Sequence, residues 1–182
     1  MKMFTNYRPI AIGFAMAVLL FSCDDWNNVP DFDVENVEGY KPIYRPATEA
    51  PGSFLAAREV VDPGKIYVIN EYLLVVDRGL GVHVFDNTDS ENPQAIGFLD
   101  IPGNNDVAVR NNILYADQGK NLIAIDINDL SQPKLATVIE DVFSMADQYP
   151  PVSGFYYECP DPSKGVLIGW ELAILEKPKC YH

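Results

Sequence analysis

Four aspartates at a regular spacing are the residues of this chain best placed to do acid–base or metal chemistry. Asp77 and Asp117 lie 40 positions apart, and Asp86 and Asp126 repeat that interval. Carboxylate pairs act as general acids and bases, and carboxylate oxygens are ligands for calcium. An Asp at a strand end also accepts hydrogen bonds from nearby backbone N–H groups, and its recurrence favours this turn-capping role. We therefore predict no catalytic residue and no metal site among them.

His83 is the second candidate for chemistry, and it lies between Val82 and Val84 in an apolar run. It could serve as a general base, but no serine or cysteine in a nucleophile motif accompanies it. The sequence holds no GxSxG, P-loop or HExxH, and a strand-like run rather than a helix follows Gly79-Leu80-Gly81. We expect His83 to face a neighbouring sheet or solvent in a non-catalytic protein without a cofactor. A hydrolase of unrecognised type is the least favoured alternative.

Aromatic residues crowd a Pro-rich stretch near the C-terminus. Tyr149, Phe155, Tyr156 and Tyr157 are candidates for binding a glycan or a protein, because rigid ring surface binds at low entropic cost. The alternative is that these rings cover an open end of the sheets.

Cys159 and Cys180 are predicted to form a disulfide, because an export signal at the N-terminus would carry the chain to the oxidising compartment outside the inner membrane. A loop of this length would gain about 3 kcal/mol on the chain-entropy account. The alternative is a pair of free buried thiols. A metal site is less favoured, because the sequence has two histidines and no CxxC pair.

The N-terminus has the pattern of an export signal. Lys2 and Arg8 precede an uncharged run over 10–21, which is shorter than the roughly 20 residues that span a bilayer. Leu20-Phe21-Ser22-Cys23 then resembles the lipobox of bacterial lipoproteins, although Phe21 is bulkier than usual there. The resemblance implies that residues 1–22 are a signal peptide and that Cys23 is lipidated. The alternatives are an uncleaved anchor and an ordinary signal peptide.

Acidic residues dominate the charge of the chain. Its formal net charge is −13, and removal of Lys2 and Arg8 with the signal peptide would make it −15. Such a chain repels phosphate backbones, so nucleic acid is not an expected partner, and the membrane must be held through the lipid. Asp24 and Asp25 resemble a signal that sends some Gram-negative lipoproteins to the outer face of the outer membrane. The expected location is therefore the outer membrane, with the protein surface-exposed.

Two segments of about 40 residues repeat one pattern, and they divide the chain. Repeat 1 spans 65–104 and repeat 2 spans 105–143, after an acidic, Pro-rich tether and lead-in over 23–64 and before a C-terminal extension over 144–182. Asp77, Asp86 and Asn92-Pro93 align with Asp117, Asp126 and Gln132-Pro133 at an offset of 40. One extra residue near Tyr72 shifts the offset to 41, which brings Asn70 onto Asn111.

Each repeat predicts four short strands, rich in β-branched and aromatic residues. The predicted strands are 66–69, 72–77, 81–86 and 94–99 in repeat 1, and 107–110, 113–116, 121–126 and 134–139 in repeat 2. The runs 73–76 and 122–125 are apolar at every position, which indicates strands covered on both faces. Residues 154–158 and 165–174 predict further strands that could form a third sheet with part of the lead-in, where 40–44 is the segment best suited to pack.

The runs LIAID at 122–126 and VHVFD at 82–86, each followed by a polar turn ending in proline, resemble the LVIVD repeat of bacterial and archaeal cell-surface proteins. The first copy departs from that pattern at His83. The resemblance implies an all-β fold of two four-stranded propeller-like repeats plus a C-terminal β extension. It implies no settled activity.

Together these features predict a lipid-anchored cell-envelope protein that acts as a non-catalytic binding or assembly subunit. Two repeats leave open sheet edges, which favours an envelope protein partner or self-association. A glycan- or calcium-binding module is the alternative function.

Overall fold

The computed structural model describes residues 31–46, 51–143 and 148–182, and within these ranges the chain is almost entirely β. The all-β fold predicted from the sequence is confirmed. The signal peptide over 1–22 and the lipidation site Cys23 lie outside the described residues.

Repeat 1 forms an antiparallel sheet whose strands follow one another in space, with one addition from the lead-in. Its strand order is β2-β6-β5-β4-β3. The bounds are β2 Ser53–Leu55, β3 Pro63–Ile69, β4 Tyr72–Asp77, β5 Gly81–Asp86 and β6 Gln94–Asp100. The lead-in strand β2 therefore lies on the outer edge of β6, where Ser53 pairs with Asp100 and Leu55 with Phe98.

Repeat 2 forms a second antiparallel sheet in the order β10-β9-β8-β7. The bounds are β7 Val107–Arg110, β8 Ile113–Gln118, β9 Asn121–Asp126 and β10 Lys134–Ile139. These strands agree with the predicted ones to within two residues, because β-branched runs bounded by Gly, Asn and Pro mark both ends of each strand.

The two sheets repeat each other in detail, at the offsets that the sequence predicts. Asn70 and Asn111 both have left-handed backbones, with φ of 50° and 51°. The register of β5 against β6 skips Ile96, and that of β9 against β10 skips Ala136, so each outer strand carries a bulge 40 residues from the other. A bulge at the same place in both copies bends each outer strand alike.

One apolar core joins the two repeats. It consists of buried residues from both sheets: Leu74, Val76, Val82, Val84, Leu99, Ile101, Val107, Leu114, Ala116, Ile123, Ile125, Ile127 and Leu130. The apolar runs 73–76 and 122–125 supply several of them. At about 25 cal/mol per Å² of apolar surface removed from water, such a cluster is the main stabilising contribution to the pair of sheets.

The lead-in and the C-terminal extension build a third sheet together. Its order is β12-β1-β11-β13, with β1 Asn36–Arg45, β11 Tyr156–Tyr157, β12 Val166–Glu176 and β13 Cys180–Tyr181. β1 is longer than the 40–44 segment expected to pack, even though Pro42 lies within it. Proline is tolerated there because β11 pairs only with Gly39 and Tyr40, so one side of β1 has no ladder partner from β11 at Pro42.

The third sheet lies against the turn that follows β4 and against the connection between the two repeats. A methyl group added at Gly79 would overlap the backbone of Ile168, and one at Gly103 would meet the side chain of Val166. Arg45, at the end of β1, forms a two-pronged ion pair with Asp100, at the end of β6, with distances of 2.9 and 3.1 Å. Backbone packing and a charged contact thus tie the third sheet to repeat 1.

Candidate functional site

The repeated aspartates lie at strand ends and accept hydrogen bonds from turns. Asp86 Oδ1 accepts from the backbone N–H of Thr88 at 2.9 Å and from its hydroxyl at 2.6 Å. These bonds hold the pKa of Asp86 below its usual value. Asp126 Oδ1 accepts from the backbone N–H of Asn128 at 2.9 Å, so the two copies cap the same turn in the same way.

Asp117 anchors the connection between the two repeats. Its Oδ1 accepts from the backbone N–H groups of Asn105 and Asp106, both at 2.8 Å, and from Nδ2 of the fully buried Asn104 at 2.7 Å. Asn104 also donates to the backbone carbonyl of Asp106. The carboxylate is therefore committed to holding the 102–106 connection in place.

Asp77 and His83 form a buried pair inside repeat 1. His83 Nε2 lies 3.0 Å from Asp77 Oδ2, and His83 is 1 % exposed. Asp77 also accepts backbone hydrogen bonds from Val61 and Asp62. Burial by itself raises the pKa of Asp77, but the bonds from His83, Asp62 and Val61 outweigh burial and bring the pKa below its usual value.

The sequence predicts that His83 faces a neighbouring sheet or solvent, and the structure rules out the solvent-facing placement, because the side chain is buried. Its ring packs edge-on against the Phe98 ring, with ring centres 4.8 Å apart. Arg58 of the lead-in covers Phe98 in turn. A histidine enclosed in this way lies in the packed interior of repeat 1, out of reach of a solvent-borne substrate. Among the described residues, no three His, Cys, Asp or Glu side chains lie together as a metal site requires.

Tyr149 and Tyr157 lie on one face of the third sheet, in edge-on contact with ring centres 5.8 Å apart. Tyr157 is 4 % exposed and packs edge-on against Trp170 at 5.5 Å, and burial raises its pKa. Tyr149 is 39 % exposed and stacks flat on His182, with ring centres 4.5 Å apart and planes 10° apart. Tyr149, and not Tyr157, thus presents ring surface to solvent on this face.

Phe155 and Tyr156 pack against aromatic rings of other segments. Phe155 lies 5.5 Å from Tyr40, and Tyr156 lies 5.1 Å from Tyr181. Both contacts are edge-to-face, which suits the charge distribution of aromatic rings. Phe155 and Tyr156 therefore pack within the third sheet and its lead-in strand.

Cys159 and Cys180 form the predicted disulfide, with Cα atoms 5.4 Å apart. Cys159 follows β11, and Cys180 begins β13, which pairs with β11. The bridge therefore fixes the C-terminal strand to the sheet that the lead-in shares.

The sequence predicts open sheet edges, and in the part of the chain that the structure describes, the outer edge of repeat 2 is uncovered while that of repeat 1 is covered. In repeat 1 the outer strand β6 is covered, and Phe98 and Leu99 are both 0 % exposed. The equivalent positions of β10 are Val138 and Ile139, which are 40 % and 51 % exposed. All six residues of β10 are exposed, and within the described ranges no strand lies on its outer side.

The acidic residue at the end of the outer strand also has different surroundings in the two repeats. Asp100 ends β6 and is paired with Arg45. The equivalent acid in repeat 2 is Glu140, which is exposed and makes no ion pair with any residue that the structure describes. Among the described strands, β10 pairs with β9 on its inner side only. Its open outer edge, which is apolar at Val138 and Ile139, is a ready surface for a strand of another chain.

Two open clefts accompany these features. One of about 460 Å³ is lined by Lys41, Glu158 and Leu175 beside the disulfide. The other, of about 500 Å³, lies between the repeats and is lined by Phe54, Tyr72 and Leu130. Neither brings together the repeated aspartates or His83.

No protein-family model, curated protein or solved structure matches this chain. In the part of the chain that the structure describes, no helix is long and apolar enough to cross a membrane.

Proposed function

We propose that this protein is a lipid-anchored, non-catalytic subunit of the cell envelope that binds a partner protein along the outer edge of β10. The single observation that carries the proposal is the contrast between Phe98 and Val138. The same position is 0 % exposed in repeat 1 and 40 % exposed in repeat 2. Exposed apolar edge strands are normally blunted or covered, and an edge left open suits strand addition.

Two features of the sequence support the envelope setting. The lipobox-like Leu20-Phe21-Ser22-Cys23 and the acidic pair after it favour anchoring through Cys23 at the outer membrane, facing outward. The resemblance to the LVIVD repeat points to cell-surface proteins in the same way. A lipid on Cys23 would keep the protein at the membrane, where envelope assemblies form.

The test is crosslinking in cells, followed by purification of the tagged, lipidated protein and mass spectrometry of what accompanies it. The informative variant is Ile139→Lys, which puts a charge on the edge. Its matched control is Ile66→Lys on β3, because Ile66 is 62 % exposed and Ile139 is 51 % exposed. Thermal melting of both variants establishes that each is folded.

A near-stoichiometric partner that is lost in Ile139→Lys and kept in Ile66→Lys supports the proposal. A partner that persists in both variants places docking elsewhere on the molecule. The absence of any partner in surface-exposed wild-type protein overturns the assembly function itself.

Glycan binding is the second candidate function, and the Tyr149–His182 stack is the observation that favours it. Two flat rings 4.5 Å apart, with Tyr149 39 % exposed, offer the kind of apolar platform on which sugar rings pack. A screen of polysaccharides with wild type and Tyr149→Ala tests this function. Binding that survives Tyr149→Ala, or no binding by wild type, removes this candidate.

A further inference from the structure

Repeat 1 shows what its outer edge accepts, because the same chain supplies the covering strand. Phe54 of β2 pairs with Leu99, and a methyl group added at Gly97 would overlap the Phe54 ring. Arg58 then places its guanidinium 3.6 Å from the centre of the Phe98 ring. The segment that covers β6 is therefore extended, with apolar side chains at Phe54 and Leu55, where it pairs, and a basic side chain at Arg58, just after the paired residues.

Repeat 2 presents the equivalent edge, although β10 ends at Ile139 and Glu140 lies in the turn directly after it. Two residue changes along this edge define a different occupant. Gly97 is replaced at the equivalent position by Thr137, so a phenyl ring opposite Ile139 would lack the space that Phe54 uses. A smaller aliphatic side chain fits over Thr137. Glu140 replaces Asp100 and has no ion-pair partner among the described residues, so the strand that pairs with it gains from a positive charge there.

We propose that the β10 edge accepts an extended, basic strand from a partner protein, with an aliphatic residue opposite Ile139 and an arginine opposite Glu140. This inference rests on the proposed function and names the chemistry of its partner. Residues 138–140 are the part that pairs, because the corresponding residues 98–100 are the ones that β2 covers in repeat 1, beyond the bulge. Arginine suits this place because it binds a carboxylate through two parallel hydrogen bonds.

A second copy of the chain is a poorer occupant than a basic strand. Antiparallel pairing of 138–140 with itself would set each Glu140 opposite Val138 of the other copy, so neither carboxylate would gain a cation. The whole chain carries a net charge of −13, so two copies also repel at a distance. A basic partner strand would supply the cation that Glu140 lacks, and it would be attracted to the acidic chain at a distance.

The probe is a synthetic peptide with the sequence of residues 51–60, carrying Phe54→Val and Ser53→Arg. Ser53 pairs with Asp100 in repeat 1, so Ser53→Arg places the arginine opposite Glu140 when the peptide lies on β10. A second peptide carries Ser53→Glu in place of the arginine. Each is titrated against the full chain in mild detergent, and the amide signals of 137–140 are followed by NMR.

Wild type is expected to bind the arginine peptide about tenfold more tightly than the glutamate peptide, as an attractive surface pair gives way to a repulsive one. Glu140→Lys is expected to reverse that order. The matched control is Glu91→Lys, which makes the same charge change in an exposed turn of repeat 1 and should leave the order unchanged. Amide shifts are expected to centre on 138–140.

Three results would overturn the proposal: no binding at millimolar peptide, an order that Glu140→Lys does not alter, or amide shifts away from β10. Sedimentation of the full chain supplies a fourth, since a dimer dispersed by Ile139→Lys would make a second copy the occupant. If the peptides fail while an Ile139-dependent partner is still recovered from cells, only the basic chemistry is wrong. If cells yield no partner either, the assembly function fails with it.

Discussion

Asn70 and Asn111 hold the same left-handed backbone conformation, with φ of 50° and 51°, at the first turn of two successive sheets. In repeat 2, Asn112 follows with φ of 59°, so both residues between Arg110 and Ile113 have positive φ, as a type I′ hairpin turn requires. Asparagine tolerates this conformation better than most residues, and glycine tolerates it best.

Asn111→Ala is therefore expected to destabilise the protein by about 1 kcal/mol, the cost of a left-handed alanine. Asn111→Gly, which has no such cost, is the control and should stay within about 0.5 kcal/mol of wild type. Urea unfolding followed by circular dichroism measures both. Equal losses in the two variants would show that the asparagine side chain, and not the backbone, matters here.

Gly79 and Gly154 both have positive φ but differ in their surroundings. A methyl group at Gly79 would overlap the carbonyl of Ile168 in β12, whereas nothing lies within 4 Å of one at Gly154. Gly154→Ala should cost about 1 kcal/mol from backbone strain alone. Gly79→Ala should cost roughly 3 kcal/mol or more, because the third sheet must also shift. Thermal melting of the two variants compares them, and equal losses would contradict the close packing.

The buried Asp77 carboxylate makes stability depend on pH in acid. Its pKa is lower in the folded chain than the value of about 3.9 in unfolded peptides, so its contribution is present above that value and is lost as the pH falls through the folded pKa. Asp77→Asn is expected to lower stability at neutral pH and to flatten the acid side of the curve. Asp89→Asn, in an exposed turn, is the matched control.

Melting temperatures between pH 2 and pH 7 measure this dependence. An acid limb as steep in Asp77→Asn as in wild type would show that other carboxylates are responsible for it.

Loss of the disulfide is expected to loosen the third sheet. Cys159 and Cys180 are 21 positions apart, and opening a loop of that size costs about 3 kcal/mol on the chain-entropy account. The Cys159→Ser, Cys180→Ser double variant should melt at a lower temperature and expose Tyr157, which is monitored by its absorbance on alkaline titration. An unchanged melting temperature would mean that the sheet holds without the bridge.

The Arg45–Asp100 pair is expected to couple the third sheet to repeat 1. The Asp100 side chain is 10 % exposed and that of Arg45 is 32 % exposed, so solvent screens the pair in part. A double-mutant cycle of Arg45→Met and Asp100→Asn should give a coupling energy of about 1 kcal/mol. Additive effects of the two changes would show that the contact is energetically neutral.

The sequence was sufficient to predict the four strands of each repeat, because their alternation of β-branched runs with Asn, Gly and Pro is local. The exception is the start of β3, which lies at Pro63 in the predicted lead-in and not at residue 66. The third sheet was predicted in outline, but the length of β1 was not, since prolines on either side obscured a strand that only its pairing with β12 explains. His83 could not be placed from its neighbours either. Its burial depends on Phe98 and on the distant segment that covers β6.

The β10 edge shows the limit of local pattern most clearly. Residues 98–99 and 138–139 are apolar in both copies, so the sequence predicts equal burial. The difference comes from residues 52–58, which fold back over one outer strand and not over the other. Sequence periodicity carries no information about which of two similar edges a distant segment will cover.

The pairing of β1 with β12 also governs when the molecule can finish folding. β1 ends at Arg45 and β12 begins at Val166, so about 120 residues must be synthesised between the two strands before the longest ladder of the third sheet can close. The repeats are built from neighbouring hairpins and have no such delay. β1 therefore leaves the ribosome without its partner. A chain truncated before residue 156, which lacks both β11 and β12, would keep two folded repeats and an unpaired β1.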